Sequence, residues 1–239
     1  MALPEGVRAV LTDIEGTTTP ISFVYDVLFP YAEARLDAYC GRPDQTPELA
    51  EALERLRQEH REDRERSAET PDFGDGAPYA RHLMAQDRKS TGLKLLQGII
   101  WDEGYRTGEL RSVVFPDVPV ALEAWKDAGL RLRVFSSGSV HAQKLLFAHT
   151  AYGDLTRLFE GYHDTTTGPK KEARAYTAIA EAYGLPAADI LFLSDVVDEL
   201  DAAAEAGMRT GLLIRPGNRP TEAGGHPVYT TFDELLPTA

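Results

Sequence analysis

The sequence predicts an α/β fold with a helical insertion near its N-terminus. From about residue 113 onwards, short apolar runs rich in β-branched residues alternate with helical patterns. A similar run, residues 7–12, stands alone near the start of the chain. The roughly ninety residues between them show only helical periodicity, which is far more than a connection needs. We therefore expect a Rossmann-like parallel-sheet core of residues 1–19 and 112–239 with an inserted all-helical cap domain of residues 20–111.

Composition narrows the class of protein. A chain of 239 residues with 43% hydrophobic content can bury a full core. The formal charge of −13 would repel nucleic-acid phosphates and anionic lipid. Cys40 is the only cysteine, so the chain has no intramolecular disulfide. With no apolar run of about eighteen residues and no secretory leader pattern, we expect a cytoplasmic monomer with no membrane or nucleic-acid partner.

Helical patterns fill the predicted cap. Residues 21–39 have apolar positions at helical intervals, with a break expected near Pro30. The segment 47–66 is the clearest amphipathic helix. Residues 67–78 collect Pro, Gly, Asp and Thr and predict a loop. Helical spacing resumes over 79–105 with an interruption near Ser90.

The C-terminal part alternates strands and helices. Asp117 is a candidate cap for the first of these helices, which Gly129 ends. The predicted strands are 130–135, 159–164, 190–195 and 209–214, and the predicted helices are 117–128, 140–148, 170–183 and 197–206. Such alternation is typical of a sheet covered by helices on both faces.

Polar side chains follow three of the predicted strands. Asp13 and Glu15 come after the first strand, and residues two apart in extended backbone point the same way. Ser136 and Ser137 follow the second strand, and Asp195 follows a later one. The carboxyl ends of parallel strands converge on one crevice, so these groups should meet there.

The predicted crevice has the donors for a magnesium-dependent phosphoryl transfer. Oxygen ligands from Asp13, Glu15 and Asp195, with no Cys or His nearby, favour one Mg²⁺ per chain. Lys170 stands at the start of a helix and can approach the same crevice. A carboxylate nucleophile, Mg²⁺, a hydroxyl and a lysine are what transfer through an aspartyl phosphate requires.

The order of these motifs resembles the haloacid dehalogenase-like hydrolase superfamily. That superfamily has an Asp-x-Asp-Gly-Thr strand end, a Ser/Thr strand end, a Lys and an acidic strand end. Here they are Asp-Ile-Glu-Gly-Thr at 13–17, Ser136, Lys170, and Asp195 with Glu199 four residues on. The helical insertion is similar to the cap of that superfamily. The chain departs from the pattern at position 15, where most phosphatases of the superfamily have Asp.

Within that superfamily, three stretches resemble the enolase-phosphatases of methionine salvage: 13–24, 87–91 and 136–140. The resemblance implies a Mg²⁺-dependent enzyme acting on 2,3-diketo-5-methylthiopentyl 1-phosphate, a small phosphorylated diketone. The enzyme would enolise the diketone and then remove its phosphate, giving an acireductone. The identity of the substrate follows from the resemblance alone.

The resemblance also implies a role for each motif residue. Asp13 would be the nucleophile and a metal ligand, and Glu15 a metal ligand and candidate general acid/base. Asp195 would complete the metal site. Ser136 and Ser137 would bind phosphoryl or diketone oxygens. The base that abstracts the proton during enolisation is left open.

Neighbouring charged residues are assigned by spacing. Lys170, in a Gly-x-Lys pattern, would neutralise charge at the aspartyl phosphate, while Lys171 is interpreted as a solvated neighbour. Glu199 fits the spacing of the superfamily, whereas Asp198 is a candidate helix cap; which of the two supports the metal is left open.

Four other functions compete with this interpretation. A phosphatase for another small phosphate ester would lack the enolase step. A dehalogenase would use Asp13 but need neither metal nor Glu15. A phospho-aspartate signalling module would need no helical insertion, and a non-catalytic scaffold would not depend on Asp13.

Overall fold

The computed structural model describes residues 3–88, 90–219 and 221–237. Lys89, which belongs to the motif stretch 87–91, lies outside the described residues. The strands are β1 Ala9–Thr12, β2 Arg131–Phe135, β3 Gly161–His163, β4 Ile190–Ser194, β5 Arg209–Leu213 and β6 Val228–Tyr229. The α-helices are α1 Phe29–Glu33, α2 Leu36–Cys40, α3 Pro47–Arg66, α4 Ala77–Ala85, α5 Thr91–Arg106, α6 Asp117–Asp127, α7 Val140–Ala148, α8 Ala173–Tyr183 and α9 Val197–Glu205. None of the described helices combines the length and the apolar content needed to cross a bilayer.

The strands form one parallel sheet in the order β3-β2-β1-β4-β5-β6. Strand β1 is central, and Thr12 at its end pairs with Val134 of β2 and Leu193 of β4. Every residue of β1 and β4 is buried, as expected for strands covered on both faces. The predicted fold class, a Rossmann-like parallel-sheet core with an inserted all-helical segment, is confirmed.

Helix α8 is fixed under the centre of the sheet by aromatic packing. The ring of Tyr176 lies 5.4 Å from that of Phe135 on β2 and 5.0 Å from that of Phe192 on β4. The hydroxyl of Tyr183 donates a hydrogen bond of 2.8 Å to the carbonyl of Val10 in β1. Tyr176 also donates to the carbonyl of Lys170, at 2.7 Å, so the segment before the helix is held at the same place.

The chain divides into two compact units, Met1–Val24 with Arg111–Ala239 and Tyr25–Leu110. The first contains the sheet and helices α6 to α9. The described residues of the second contain helices and no strand. These junctions lie close to those predicted above, and the domain boundaries 1–19 with 112–239 and 20–111 stay a prediction.

Helices α3 and α5 cross closely in the second unit. A Cβ on Gly92 would stand 2.6 Å from the backbone nitrogen of Leu56, so the crossing requires glycine. The carboxylate of Glu59 accepts hydrogen bonds from the backbone N–H groups of Thr91, at 3.1 Å, and Gly92, at 3.3 Å. Helix α3 therefore supplies partners for the N–H groups that the start of α5 would leave unpaired.

The helix of residues 21–39 is irregular near Pro30 as predicted, since the π-helical turn Phe23–Leu28 changes to α1 just before this proline and a turn follows at residues 34–35. Two local features differ from the sequence-based expectation. Asp117 does not cap α6, because its carboxylate contacts Arg215 at 2.7 Å. Strand β6 was missed because two residues are too few to show alternation.

Replacing Gly92 by Ala should destabilise the protein by about 1 to 3 kcal/mol, because the added methyl group has no room against α3. Helix propensity alone would give the opposite sign, a gain of roughly 0.5 to 1 kcal/mol. Urea unfolding of Gly92→Ala measures the difference. Leu95→Ala, at an exposed position of the same helix, is the control and should change the free energy of unfolding by less than about 0.5 kcal/mol. Equal or greater stability of Gly92→Ala would refute the close crossing.

Candidate active site

Asp13 stands in a tight turn at the carboxyl end of β1. Its backbone N–H donates to the carbonyl of Leu193 at 2.9 Å, and its side chain is 6% exposed. The carbonyl of Ile14 then accepts hydrogen bonds from the backbone N–H groups of residues 17–19. Gly16 adopts φ of +69°, a conformation that favours glycine. The turn thus fixes the carboxylate of Asp13 at the edge of the sheet.

Lys170 links the end of β1 to helix α9 through its ammonium group. Its Nζ lies 2.8 Å from Oδ1 of Asp13 and 2.6 Å from Oε2 of Glu199. The lysine side chain is only 6% exposed, and both carboxylates are buried. The hydroxyl of Ser194 lies 3.1 Å from Oε2 of Glu199 and 3.5 Å from Oδ2 of Asp13. The buried ammonium of Lys170 therefore forms ion pairs with two buried carboxylates.

The ion pairs decide the charge of the lysine. Burial by itself would lower the pKa of Lys170, but Asp13 and Glu199 outweigh it and raise that pKa above its ordinary value. Burial and the negative charge of Asp13 raise the pKa of Glu199, against the opposing effect of Lys170. Lys170 is therefore protonated across the physiological range.

Asp195 follows β4 and faces the same cluster. Burial, followed by the charges of Asp13 and Glu199, raises the pKa of Asp195 to about 7. The cluster holds three carboxyl groups against the single charge of Lys170. This excess of negative charge is what a divalent cation would neutralise.

The remaining predicted residues lie on the neighbouring strand ends. Glu15 is half-buried, and its backbone forms an isolated bridge with Thr19. Ser136 is buried directly after β2, and its Oγ accepts a hydrogen bond of 3.3 Å from the N–H of Gly138. Ser137 is half-buried. Asp13, Lys170 and Asp195 are thus brought together, and the serines stand at the adjacent strand end.

The donors suit a hard cation such as Mg²⁺. They are oxygen atoms from carboxylates, and the described part of the first unit places no Cys among them. Within residues 3–88, 90–219 and 221–237, His, Cys, Asp and Glu side chains form no group of three or more already arranged around a metal position. The carboxylate oxygens therefore suit Mg²⁺ chemically, but in the described residues these side chains are not already arranged around a metal position.

Lys171 and Asp198, which adjoin Lys170 and Glu199 in the sequence, lie outside the buried cluster. Lys171 pairs with Asp198 at 2.6 Å, and both side chains are 64% exposed. Glu199, four residues after Asp195, contacts Lys170. Of the two acids left open by spacing, only Glu199 touches the buried cluster in the described residues.

Two residues beyond β5 hold the turn of Asp13 and were missed from the sequence. Nε of Arg215 donates to the carbonyl of Thr17 at 3.1 Å, and Nδ2 of Asn218 donates to the carbonyl of Gly16 at 2.9 Å. The stretch Pro-Gly-Asn at 216–218 indicated only a turn. No sequence pattern relates these residues to a loop some two hundred positions earlier.

Comparisons with known proteins identify the relatives of the chain. The family model for haloacid dehalogenase-like hydrolases matches residues 7–207. The chain is 51% identical to a curated enolase-phosphatase E1 from Sorangium cellulosum, covering 99% of both chains. It is 48% identical to one from Synechococcus elongatus, over 98% of this chain and 100% of the relative. The crystal structure of the UTR4 protein of Saccharomyces cerevisiae superposes with a TM-score of 0.80 at 35% identity, covering 96% of this chain and 100% of that one.

The chain belongs to the haloacid dehalogenase-like hydrolase family and, within it, to the enolase-phosphatase E1 family. The resemblance drawn from the motifs is confirmed, as is the prediction that the chain is an enzyme of the hydrolase class. Hydrolases of this family generally use Mg²⁺.

Replacing Lys170 by Met should cost about 3 to 5 kcal/mol of stability at neutral pH, because it strands two buried carboxylates. Burial already raises the pKa of Glu199, and Lys170 opposes that rise, so without the lysine Glu199 takes up its proton in the folded variant at a higher pH than in the unfolded chain. The loss should therefore grow from about pH 5 to about pH 8. Urea unfolding at both pH values measures it.

Lys171→Met is the matched control, since it removes only an exposed ion pair worth at most about 1 kcal/mol. The double variant Lys170→Met with Glu199→Gln should regain part of the loss. A loss for Lys170→Met that is no larger than that for Lys171→Met would contradict the buried cluster.

Proposed function

We propose that the chain is a Mg²⁺-dependent, bifunctional enolase-phosphatase of methionine salvage, an acireductone synthase. Its substrate would be 2,3-diketo-5-methylthiopentyl 1-phosphate, and its products an acireductone and inorganic phosphate. The observation that carries the proposal is the carboxylate of Asp13, held 2.8 Å from a buried lysine at the centre of the sheet. The enolase-phosphatase E1 relatives, at 48 to 51% identity, support the choice of substrate.

Asp13, Glu15 and Asp195 would hold one Mg²⁺. When bound, the ion would supply Lewis-acid polarisation of phosphoryl and carbonyl oxygens. The excess of carboxylate charge in the cluster and the all-oxygen donor set support this assignment.

Phosphoryl transfer would begin at Asp13. Its carboxylate attacks the phosphorus, and the bond from phosphorus to the substrate's ester oxygen breaks. That oxygen takes a proton from Glu15, acting as general acid. Lys170 stays charged, stabilising the developing negative charge beside the new aspartyl phosphate.

Hydrolysis of the aspartyl phosphate would then regenerate the enzyme. Glu15, now ionised, removes a proton from water as the water oxygen attacks the phosphorus. The bond between phosphorus and Asp13 breaks, and inorganic phosphate leaves. Ser136 and Ser137, at the end of β2, would bind the phosphoryl or diketone oxygens during both steps.

The enolase step would precede phosphoryl transfer. A base removes a proton from the carbon alpha to the dicarbonyl, the C–H electron pair forms a C=C bond, and the carbonyl π pair moves to oxygen. The resulting enolate oxygen then takes up a proton to give the enol. The proposal assigns no base to this step. In the cell we expect the enzyme to act as a cytoplasmic monomer on this small phosphorylated diketone, without nucleic-acid or membrane partners.

The two activities are separable in one assay. Pure protein is incubated with the diketone phosphate and Mg²⁺, while acireductone absorbance and phosphate release are followed together. Phosphate release without any enol would point to a phosphatase for another ester. Turnover that survives removal of Mg²⁺ by a chelator would point to a metal-independent enzyme such as a dehalogenase. A stable phospho-aspartate without turnover would indicate a signalling module.

Asp13→Asn should reduce phosphate release by at least about 10³-fold, because the amide is no nucleophile toward phosphorus. The measurement is kcat for phosphate release at saturating Mg²⁺. Circular dichroism and urea unfolding of the same variant provide the folding control. An unchanged rate would contradict the proposed nucleophile and favour a non-catalytic scaffold.

Glu15→Asp should slow phosphate release by about 10- to 10³-fold, because the shorter acid is withdrawn from the leaving oxygen. The nucleophile and Lys170 are untouched, so burst formation of the phosphoenzyme should slow with protonation of the leaving group. Rates for enol and phosphate are measured separately. Full retention of both would show that the longer acid has no special role.

A further inference from the structure

Asn218 is the only asparagine in the 239-residue chain, and it lies beside the turn that holds Asp13. Its Nδ2 donates hydrogen bonds to the carbonyl of Gly16, at 2.9 Å, and to that of Leu213, at 3.2 Å. Both partners are acceptors, so the nitrogen of the amide must face them. The orientation of the side chain follows, with Oδ1 directed away from these carbonyls.

The amide oxygen of Asn218 lies beside Gly16, close to the carboxylate of Asp195, which is one of the predicted cation ligands. It is buried and has no hydrogen-bond partner among the described residues. A Cβ built on Gly16 would stand 3.1 Å from this oxygen and 2.2 Å from Oδ2 of Asp195. Two acceptor oxygens thus flank the same small space beside Gly16. An amide oxygen and an ionised carboxylate cannot bond to each other, so a cation, or a water molecule, bound beside them would satisfy both.

We propose that Asn218 is a positioning residue that also supplies an oxygen donor, directly or through one water, to the Mg²⁺ of the active site. The proposal rests on the proposed function, since it assumes a cation beside Asp195. A neutral amide oxygen is among the hard ligands that Mg²⁺ accepts. The amide oxygen adds a metal donor without adding charge to a cluster in which three carboxyl groups already face one ammonium group.

The loop that carries Asn218 is anchored independently by Arg215. The guanidinium of Arg215 is buried and pairs with Asp117 at 2.7 Å. It lies between the rings of Phe115, at 4.6 Å, and Phe232, at 4.8 Å. A buried, bonded and stacked arginine holds the start of the turn, so the amide three residues later has a fixed position. Residues that hold a metal ligand in position commonly change the affinity of the site for its metal.

A single asparagine allows a direct test on the wild-type enzyme. Protein labelled selectively with ¹⁵N-asparagine gives one side-chain amide signal pair. Titration with Mg²⁺ should shift this pair along the same curve as calorimetric binding, and Mn²⁺ in place of Mg²⁺ should broaden it strongly. Signals that neither shift nor broaden while the metal binds would overturn the proposal.

Affinity provides the second measurement. Asn218→Ala should raise the Kd for Mg²⁺, measured by calorimetry, about 10- to 100-fold. Arg219→Ala changes an exposed neighbour in the same loop and should leave the Kd unchanged. An Asn218→Ala protein with a lower melting temperature but an unaltered Kd would reduce Asn218 to a structural residue.

Separate results would overturn the proposed function and the proposed role of Asn218. If the wild-type protein binds no Mg²⁺ in calorimetry, the proposed function is wrong. If it binds Mg²⁺ and turns over the diketone phosphate while Asn218→Ala keeps the wild-type Kd, only the role of Asn218 is wrong.

Discussion

The buried ammonium of Lys170 between Asp13 and Glu199 is the interaction on which the rest of the site depends. An uncompensated carboxylate is costly at this burial, so the two acids could not stand side by side without it. The same ammonium places a positive charge 2.8 Å from the carboxylate that would accept the phosphoryl group. The positive charge of Lys170 therefore serves both the stability of the fold and the proposed phosphoryl transfer.

The topology of the sheet makes that interaction possible. Placing β1 between β2 and β4 brings together strand ends that are more than a hundred residues apart in sequence. Helix α8, packed through Tyr176 and Tyr183, fixes the segment of Lys170 against the same edge. The turn after β5 then secures the carbonyls of Gly16 and Thr17. Each loop contributes one or two side chains, and the sheet supplies their relative positions.

Much of this could be predicted from the sequence because the strand ends have a local signature. Asp13, Ser136 and Asp195 each follow an apolar run, and parallel strands bring such ends together. The contacts of Ser194 with Asp13, and of Arg215 and Asn218 with the turn after β1, could not be predicted, because hydrogen bonds between segments distant in the sequence leave no pattern. Asp117 shows a related limit, since an acid at a helix start can cap the helix or pair with a distant arginine, and here it contacts Arg215.

The proposed mechanism requires that Asp13 accepts the phosphoryl group. Rapid-quench single turnover with the diketone phosphate, followed by mass spectrometry of the peptide that contains Asp13, detects that step. We expect a transient phosphoryl adduct on Asp13 that forms before phosphate appears and decays as phosphate is released. Phosphate release with no adduct on Asp13 at any time would contradict this mechanism.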